Sequence, residues 1–244
     1  PLGLRLDGPL AVYGGAAYEG GLVEIQDEGS QVVVLLTDAR PGMAVADLCA
    51  GAGGKTLALA ACMENRGTLI ALDIDQRRLD RAAKRLKRAG AGIVRRHLLR
   101  GGDPWLAKRA GTFDRVLVDA PCSGSGAWRR QPDQRWRLTR STLAGYVAAQ
   151  DEILATAAPL VAGGGRLVYA TCSLLPAENA RRVEAFLAVR PDFTLLPAER
   201  VWAETLGGAS PAPLPFDGPY LLLSTARHGT DGFFAAVLER RRKA

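Results

Sequence analysis

The chain has 244 residues, the length of one large domain, and 48% of them are apolar, which excludes wholesale disorder. Thirty-two Lys and Arg residues against 25 Asp and Glu residues give a formal charge of +7. This charge favours a polyanionic partner, a nucleic acid before a membrane, and apolar runs such as residues 32–36 are too short to span a bilayer.

The N-terminal part of the chain has its own pattern. Residues 1–24 are rich in glycine and lack a clear period, whereas residues 26–37 have the pattern of a short helix. We therefore expect a lead-in and a helix at 1–40 that pack on the core, with the main domain at 41–244. The chain begins at Pro1 rather than Met, so we also expect further sequence upstream.

Strands and helices alternate after residue 40. The predicted strands lie at 44–48, 68–73, 93–99, 114–119 and 166–171, and the predicted helices at 55–64, 76–89, 143–161 and 176–189. Gly163 to Gly165 are predicted to end the third helix. Pro176 and Glu178 fall in the first turn of the fourth, where both residue types are favoured. The alternation predicts an α/β fold with a mostly parallel sheet that helices cover on both faces.

Two further strands are predicted near the C-terminus, at 220–224 and 233–238. The turn between them contains Gly229 and Gly232, which favours an antiparallel hairpin. We expect this hairpin at the edge of the sheet, which would then contain seven strands.

A glycine turn follows the first predicted strand. A strand, a glycine turn, a helix and an acid at the end of the next strand are typical of sites for nucleoside-bearing cofactors. Asp73 follows Gly53 at the usual distance of about 20 residues. The turn does not match the dinucleotide-binding fingerprint because Thr56 stands where its third glycine is required. It does not match the phosphate-binding loop because Cys49 stands where that pattern requires glycine. The turn is compatible with an adenosyl cofactor that has no pyrophosphate, and it is equally compatible with a purely structural role.

The chain contains four cysteines, Cys49, Cys62, Cys122 and Cys172. None forms a C-x-x-C pair, so we expect neither a metal site nor a secreted disulfide framework, and we place the protein in a reducing cytoplasm. Cys122 and Cys172 each follow an apolar strand. Because the carboxyl ends of parallel strands meet at one edge, we expect both thiols beside the glycine turn, although a free cysteine is more often inert packing.

Five segments, taken together, resemble one known family. They are QDEGSQ at 26–31, DLCAGAGGKT at 47–56, DAPCSGSGAWRRQPD at 119–133, YATCSLLPAEN at 169–179 and DGFFAAVLER at 231–240. In this order they are similar to motifs of the Sun/Fmu/RsmB-type family of RNA cytosine-5 methyltransferases. The resemblance covers nearly the whole chain. It implies a Rossmann-like class I methyltransferase fold, S-adenosyl-L-methionine as cofactor and RNA as partner, with ribosomal RNA preferred to transfer RNA and a monomer favoured.

The resemblance also implies a set of cofactor-binding residues. They are Cys49, Ala50, Gly51, Ala52, Gly53, Gly54, Lys55, Asp73, Asp103 and Asp119. Two positions depart from the family pattern. Where the family usually has alanine and proline before two glycines, this chain has Gly51 and Ala52 before Gly53 and Gly54. The segment before Asp103 also does not align cleanly with the family.

Family resemblance assigns the nucleophile to Cys172 and its release to Cys122, with Asp119 and Lys55 holding the base. Addition of a thiolate to carbon 6 of cytosine lets carbon 5 attack the methyl group of the cofactor. The site should therefore lower the pKa of the attacking thiol. A second interpretation makes Cys122 the nucleophile, as in DNA cytosine methyltransferases, whose proline-cysteine pair is similar. It leaves the segment around Cys172 without a role.

Basic and aromatic residues follow Cys122 in a long loop. Arg129, Arg130 and Arg135 could neutralise phosphates, and Trp128 or Trp136 could stack on a base or instead anchor the loop in the core. Seven Lys and Arg residues between positions 77 and 88 favour a solvated helix face over a phosphate-binding face. An RNA-binding or assembly factor without catalysis is the alternative function, but it predicts a broken cofactor turn or a missing thiol.

Overall fold

The computed structural model describes residues 3–6, 11–207 and 215–242. Within these ranges nine strands form one sheet: β1 Ala44–Leu48, β2 Thr68–Asp73, β3 Val94–Leu98, β4 Phe113–Asp119, β5 Val161–Thr171, β6 Phe193–Leu196, β7 Phe216–Asp217, β8 Tyr220–Leu223 and β9 Phe233–Arg240. The α-helices of the same ranges are α1 Ala16–Glu19, α2 Glu28–Leu36, α3 Gly54–Cys62, α4 Gln76–Arg88, α5 Pro104–Lys108, α6 Gln134–Arg137, α7 Arg140–Ala157, α8 Ala180–Val189, α9 Ala198–Leu206 and α10 Thr225–His228.

The sheet combines a parallel part and an antiparallel part. Its order is β3-β2-β1-β4-β5-β9-β8-β7, with β6 also paired to β9. The pairs among β1 to β5 are parallel, and β9 runs antiparallel to β5, β6 and β8. The predicted α/β fold with an antiparallel C-terminal hairpin is confirmed. The strand order reverses between β1 and β4, which is where open sheets of this kind bind ligands.

Helices cover both faces of the parallel strands. Val45 of β1 belongs to a buried cluster with Val33 of α2 and Leu59 of α3, whereas Leu48 of the same strand belongs to a second cluster with Leu154 of α7. Because both faces are buried, the central strands are apolar runs rather than alternating sequences. The core therefore holds the carboxyl ends of β1, β4 and β5 in fixed relative positions.

The described part of the N-terminal lead-in lies against α4. The carboxylate of Glu24 accepts hydrogen bonds from Arg85 at 3.1 Å and from Arg88 at 2.6 Å. The guanidinium of Arg88 also stacks on Tyr18, 3.7 Å from the ring centroid. Two of the basic residues of α4 therefore hold the lead-in rather than an external anion. Residues 1, 2 and 7–10 of the predicted lead-in lie outside the described residues.

The boundary between α7 and β5 differs from the prediction. The helix ends at Ala157, and β5 already begins at Val161, so the prediction that Gly163 to Gly165 end a helix is wrong. These glycines lie inside the strand. Phe113 pairs with Val161 and Arg115 with Arg166, so β5 carries extra residues at this point and forms a bulge. Gly164 has a φ of +81°, which favours glycine, and this explains a glycine run within a strand.

The predicted helix 176–189 begins only at Ala180. Its expected first turn is instead a non-helical segment held by side-chain hydrogen bonds to β5. Tyr169 Oη donates to the carbonyl of Glu178 at 2.6 Å, and Thr171 Oγ1 donates to Asn179 Oδ1 at 2.6 Å. The prediction that Glu178 occupies a helical first turn is therefore wrong, and its side chain is completely buried.

The C-terminal hairpin is present but lies further inside the sheet than expected. β8 pairs antiparallel with β9, and the two are joined through α10 rather than by a simple turn. β9 is an interior strand because β5 pairs with it on its other side. Its continuous burial from Phe233 to Leu238 agrees with that position. Two strands that the sequence did not predict, β6 and β7, give nine strands among the described residues instead of seven.

Candidate active site

The two rim cysteines lie in contact. Cys122 follows β4 and Cys172 follows β5, and these strands are parallel neighbours in which Asp119 pairs with Ala170. Both chains therefore leave the sheet at the same edge. The two Sγ atoms lie 3.5 Å apart as free thiols. One substrate atom placed at this edge can reach both sulfurs.

The environments of the two thiols shift their pKa values in opposite directions. A hydrogen bond from the thiol of Cys122 lowers the pKa of Cys172, and the ammonium of Lys55 lowers it further against the opposing effects of burial and Asp119. The same hydrogen bond and burial raise the pKa of Cys122. These directions favour Cys172 as the thiol of the pair that ionises first.

Lys55 and Asp119 form an ion pair beside the thiols. Lys55 Nζ lies 2.7 Å from Asp119 Oδ2, and it also lies 5.1 Å from the ring centroid of Phe233 on β9. Burial would lower the pKa of Lys55, but the charge of Asp119, its hydrogen bond to Lys55 and the charges of Asp47 and Cys172 together outweigh burial, and the pKa is raised. The ammonium is therefore fully charged. Lys55, at the start of α3 directly after the glycine turn, therefore contacts residues of both β4 and β9.

The glycine turn is built from left-handed backbone conformations. Cys49 has a φ of 61° and Gly53 a φ of 82°, and α3 begins directly afterwards at Gly54. The N–H of Gly51 donates to Asp73 Oδ2 at 2.8 Å, which holds the turn against the end of β2. A Cβ added at Gly51 would meet only the carbonyl oxygen of Cys49, at 3.8 Å. Protein atoms therefore leave the space beside this turn open.

The thiol of Cys49 is poorly suited to act as a nucleophile. Burial and the carboxylates of Asp73, Asp119 and Asp47 raise its pKa to about 12. Besides burial, the three carboxylates that raise this pKa place negative charge close to the glycine turn. Cys62 of α3 is half-buried and packs at the edge of a core cluster.

Asp47 is a buried acid of the site that sequence reasoning missed. It is completely buried near the end of β1, and Thr56 Oγ1 donates to its Oδ2 at 2.6 Å. Its Oδ1 has no hydrogen-bond partner. Burial raises the pKa of Asp47 to about 7. The available signal was an acid inside an otherwise apolar strand directly before the glycine turn.

Asp103 lies beyond the end of β3 and is engaged within the protein. Its Oδ1 accepts from the N–H of Trp105 at 2.9 Å and caps α5, and its Oδ2 lies 2.8 Å from His97 Nε2. The Trp105 hydrogen bond, followed by that of His97, lowers the pKa of Asp103. Asp103 also lines an open cleft of about 520 Å³ with Arg100. An ionised carboxylate accepts about four hydrogen bonds, so further acceptor capacity remains.

The basic loop after Cys122 is anchored by one buried acid. Asp231 is completely buried and accepts hydrogen bonds from Arg129 at 3.1 Å and from Arg130 Nε at 2.8 Å. Both arginine side chains stay about half exposed, 46% and 52%. The ion pairs with Asp231 therefore hold the loop in place, and one side of each guanidinium still faces solvent.

The two tryptophans of this loop differ. The Nε1 atom of Trp128 is buried, which agrees with a loop anchor, whereas Trp136 is 81% exposed. The guanidinium of Arg135 lies 5.5 Å from the ring centroid of Trp136. The loop thus presents an exposed aromatic ring beside a cation.

No group of three or more His, Cys, Asp or Glu side chains within the described residues is arranged to hold a metal ion. None of the helices in the same ranges has the length and apolar character needed to cross a bilayer.

Comparison with known proteins decides the family. A family model described as 16S rRNA methyltransferase RsmB/F matches residues 34–239. The chain belongs to the RsmB/F methyltransferase family. The five motif segments had indicated the same family, and the match includes both thiols, the glycine turn and most of β9.

Individual relatives agree with this family. The ribosomal RNA small subunit methyltransferase B of Citrobacter koseri is 40% identical over 198 residues, which cover 80% of this chain and 45% of that protein. The crystal structure of PH0851 is 36% identical with a TM-score of 0.85, over 96% of this chain and 50% of that one. NSun6 from Pyrococcus horikoshii with SFG, at 24% identity and a TM-score of 0.78, covers 96% and 57% and shows the shared fold. The chain spans about half the length of the curated relatives it matches.

Proposed function

We propose that this RsmB/F family member transfers a methyl group from S-adenosyl-L-methionine to carbon 5 of a cytosine in RNA, with ribosomal RNA as the first candidate. The observation that carries the proposal is the contact of two free thiols at 3.5 Å beside the Lys55–Asp119 ion pair. Methylation at carbon 5 needs a nucleophile and a second group that assists release, and a pair of adjacent thiols supplies both.

The residues of the glycine turn fit this cofactor. S-adenosyl-L-methionine carries a positive sulfonium and a positive ammonium. After burial, the carboxylates of Asp73, Asp119 and Asp47 are the next causes of the raised pKa of Cys49, so negative charge lies close to the turn. The backbone of residues 49–54 would lie against the cofactor, Asp73 would accept from the ribose hydroxyls, and Asp119 and Asp103 complete the proposed acids. The bound cofactor supplies an electrophilic methyl group.

The residues of the rim then account for each proton and bond. The thiolate of Cys172 forms a bond to carbon 6 of the base, which gives carbon 5 the electron pair that takes the methyl group. Afterwards carbon 5 loses its proton, the bond between sulfur and carbon 6 breaks, and Cys172 leaves again as a thiolate. Cys122, whose sulfur lies 3.5 Å away, would first give its own proton to solvent water and then, as a thiolate, accept the proton from carbon 5. Asp119 and Lys55 would hold the polar edge of the ring.

The charge of Lys55 supports the assignment of Cys172, rather than Cys122, as the attacking group in this proposal. The pKa of Cys172 is lowered by the hydrogen bond from Cys122 and by Lys55, whereas the pKa of Cys122 is raised. The interpretation with Cys122 as nucleophile requires the opposite order. A non-catalytic RNA-binding factor would not need two thiols in contact with a charged lysine beside them.

The target base must leave its stack before it reaches this rim. The exposed ring of Trp136 and its neighbour Arg135 offer a stacking surface and a positive charge for the adjoining nucleotides. The exposed sides of Arg129 and Arg130 would contact phosphates. Transfer RNA is the alternative substrate, and no side chain at this rim decides between the two.

Methyl transfer to defined RNAs tests the proposal. The protein is incubated with S-adenosyl-L-methionine carrying a labelled methyl group and with unmodified small-subunit ribosomal RNA or unmodified transfer RNA. Nucleosides are then separated by mass spectrometry, with Cys172→Ala as the control. We expect labelled 5-methylcytidine in ribosomal RNA. Label in transfer RNA alone would select the alternative substrate, and a different methylated nucleoside would refute the proposal.

A further inference from the structure

A single buried carboxylate lies beneath two thiol loops, the loop after β4 that carries Cys122 and the loop after β5 that carries Cys172. Glu178 is completely buried, and one of its oxygens accepts hydrogen bonds from the hydroxyls of Ser123 and Ser173. The other oxygen accepts from the N–H of Ser123 at 2.8 Å and from Gln150 Nε2 at 3.2 Å. All of these groups are donors, so they suit an ionised carboxylate.

The donors come from the residues next to the two cysteines. Ser123 directly follows Cys122, and Ser173 directly follows Cys172. Gln150 of α7 also donates to the carbonyl of Pro121, the residue before Cys122, at 2.9 Å. The carboxylate of Glu178 is thus bound to the chain on both sides of the contact between the sulfurs.

We propose that Glu178 is a positioning residue whose buried carboxylate ties the loops after β4 and β5 together and so fixes the separation of the Cys122 and Cys172 sulfurs. The proposal rests on the proposed function for its catalytic meaning, but the geometric claim can be tested without RNA or cofactor. Glu178 lies behind the loops and acts only through them.

Two other features agree with this role. The negative charge of Glu178 contributes to the raised pKa of Cys122, after the hydrogen bond to Cys172 and burial. Other hydrogen bonds also join the loops directly. The N–H of Gly126 donates to the carbonyl of Cys172 at 2.9 Å, and the N–H of Leu174 donates to Ser125 Oγ at 2.8 Å. The hydroxyl of Ser173 lies 3.2 Å from that of Ser123 and 3.1 Å from that of Ser125. These links keep the loops adjacent when Glu178 is removed, so the loops relax rather than unfold.

The rate of disulfide formation between the two thiols reports on their separation. The purified protein without RNA or cofactor is treated with diamide, a thiol oxidant that takes up two electrons and two protons as the disulfide forms. Peptide mass spectrometry follows the Cys122–Cys172 link over time. We expect Glu178→Ala to slow this reaction about tenfold or more, and Glu178→Gln to slow it less, because Gln keeps the size and part of the hydrogen bonding.

A matched control separates positioning from general loss of stability. Asp38 is also a buried carboxylate, bound by Arg40 at 2.6 Å and by Arg115 at 2.8 Å, but it precedes β1 and lies at the opposite end of the parallel strands. Asp38→Asn should lower the melting temperature and leave the diamide reaction at the wild-type rate. A wild-type rate in folded Glu178→Ala would overturn the proposal. So would equal slowing in Asp38→Asn.

The Gln variant keeps the test decisive if Glu178→Ala does not fold, since a wild-type rate in folded Glu178→Gln would also overturn the proposal. Methylation is then measured on the same variants, and we expect kcat to fall about as much as the diamide rate while the KM for S-adenosyl-L-methionine stays unchanged. If the diamide reaction slows but wild type methylates no RNA, the positioning role stands and the proposed function fails.

Discussion

Gly126 connects the two thiol loops to β9 through backbone contacts alone. A Cβ added at Gly126 would lie 2.3 Å from the carbonyl oxygen of Gly232 and 2.7 Å from its carbonyl carbon. Comfortable contacts between such atoms are about 3.5 Å, so one of the two segments must move by about 1 Å. Two hydrogen bonds move with it: the N–H of Gly126 donates to the carbonyl of Cys172, and its carbonyl accepts from the N–H of Gly232, both at 2.9 Å.

Gly126→Ala should therefore lower both stability and turnover. Overpacking of this kind costs about 1–3 kcal/mol, which corresponds to a fall of roughly 2–12 °C in melting temperature for a domain of this size. A misplacement of about 1 Å at the thiols can lower kcat by about 100-fold. The affinity for S-adenosyl-L-methionine should stay unchanged because the glycine turn at 49–54 is held against the end of β2 by the hydrogen bond from Gly51 to Asp73.

The assay combines a thermal melt, calorimetric binding of S-adenosyl-L-methionine and turnover on RNA. Gly145→Ala is the control, since Gly145 lies within α7 and an added Cβ would meet nothing within 4 Å. That variant should gain up to about 1 kcal/mol from helix propensity and keep its kcat. A Gly126→Ala protein that melts at or above the wild-type temperature with full turnover would refute the reasoning.

Three other predictions concern single side chains. Cys122→Ala removes the hydrogen bond that lowers the pKa of Cys172, so the pH at which iodoacetamide alkylates Cys172 should rise, and an unchanged pH profile would contradict this. Because burial raises the pKa of Asp47 to about 7, the folded protein holds a proton that the unfolded chain has lost, and stability falls as pH rises from about 4 to 7. Asp47→Asn should therefore stabilise the protein against urea by roughly 4 kcal/mol at about pH 8 and little at about pH 4, and equal effects at both would argue against a buried charge. Trp136→Ala should weaken RNA binding by about 1–3 kcal/mol in a filter-binding assay without changing the melting temperature, and unchanged binding would exclude stacking.

Local sequence signals predicted the parallel part of the sheet. β1, β2 and β4 are apolar runs followed by glycine, acidic or proline-containing turns, and such runs are typical of buried strands. The positions of the two thiols followed from the same pattern, because residues after neighbouring parallel strands leave the sheet at one edge. The structure shows these sulfurs 3.5 Å apart.

Features that depend on register or burial could not be predicted. A glycine run such as Gly163 to Gly165 ends helices far more often than it lies in a bulge, and only the pairing of β4 with β5 shows the difference. Glu178 follows a proline and resembles a helix start by local pattern, but tertiary hydrogen bonds from two serines decide its conformation. The full burial of Asp47 likewise appears only in the folded sheet, where Thr56 of α3 donates to its carboxylate.

The direct test of the central claim is a covalent complex between protein and RNA. Wild type, Cys122→Ala and Cys172→Ala are incubated with unmodified ribosomal RNA and S-adenosyl-L-methionine, and adducts that survive denaturation are separated on a gel. The account predicts that Cys122→Ala accumulates the adduct, because the bond to Cys172 forms but is not released, and that Cys172→Ala forms none. An adduct in Cys172→Ala and none in Cys122→Ala would contradict it.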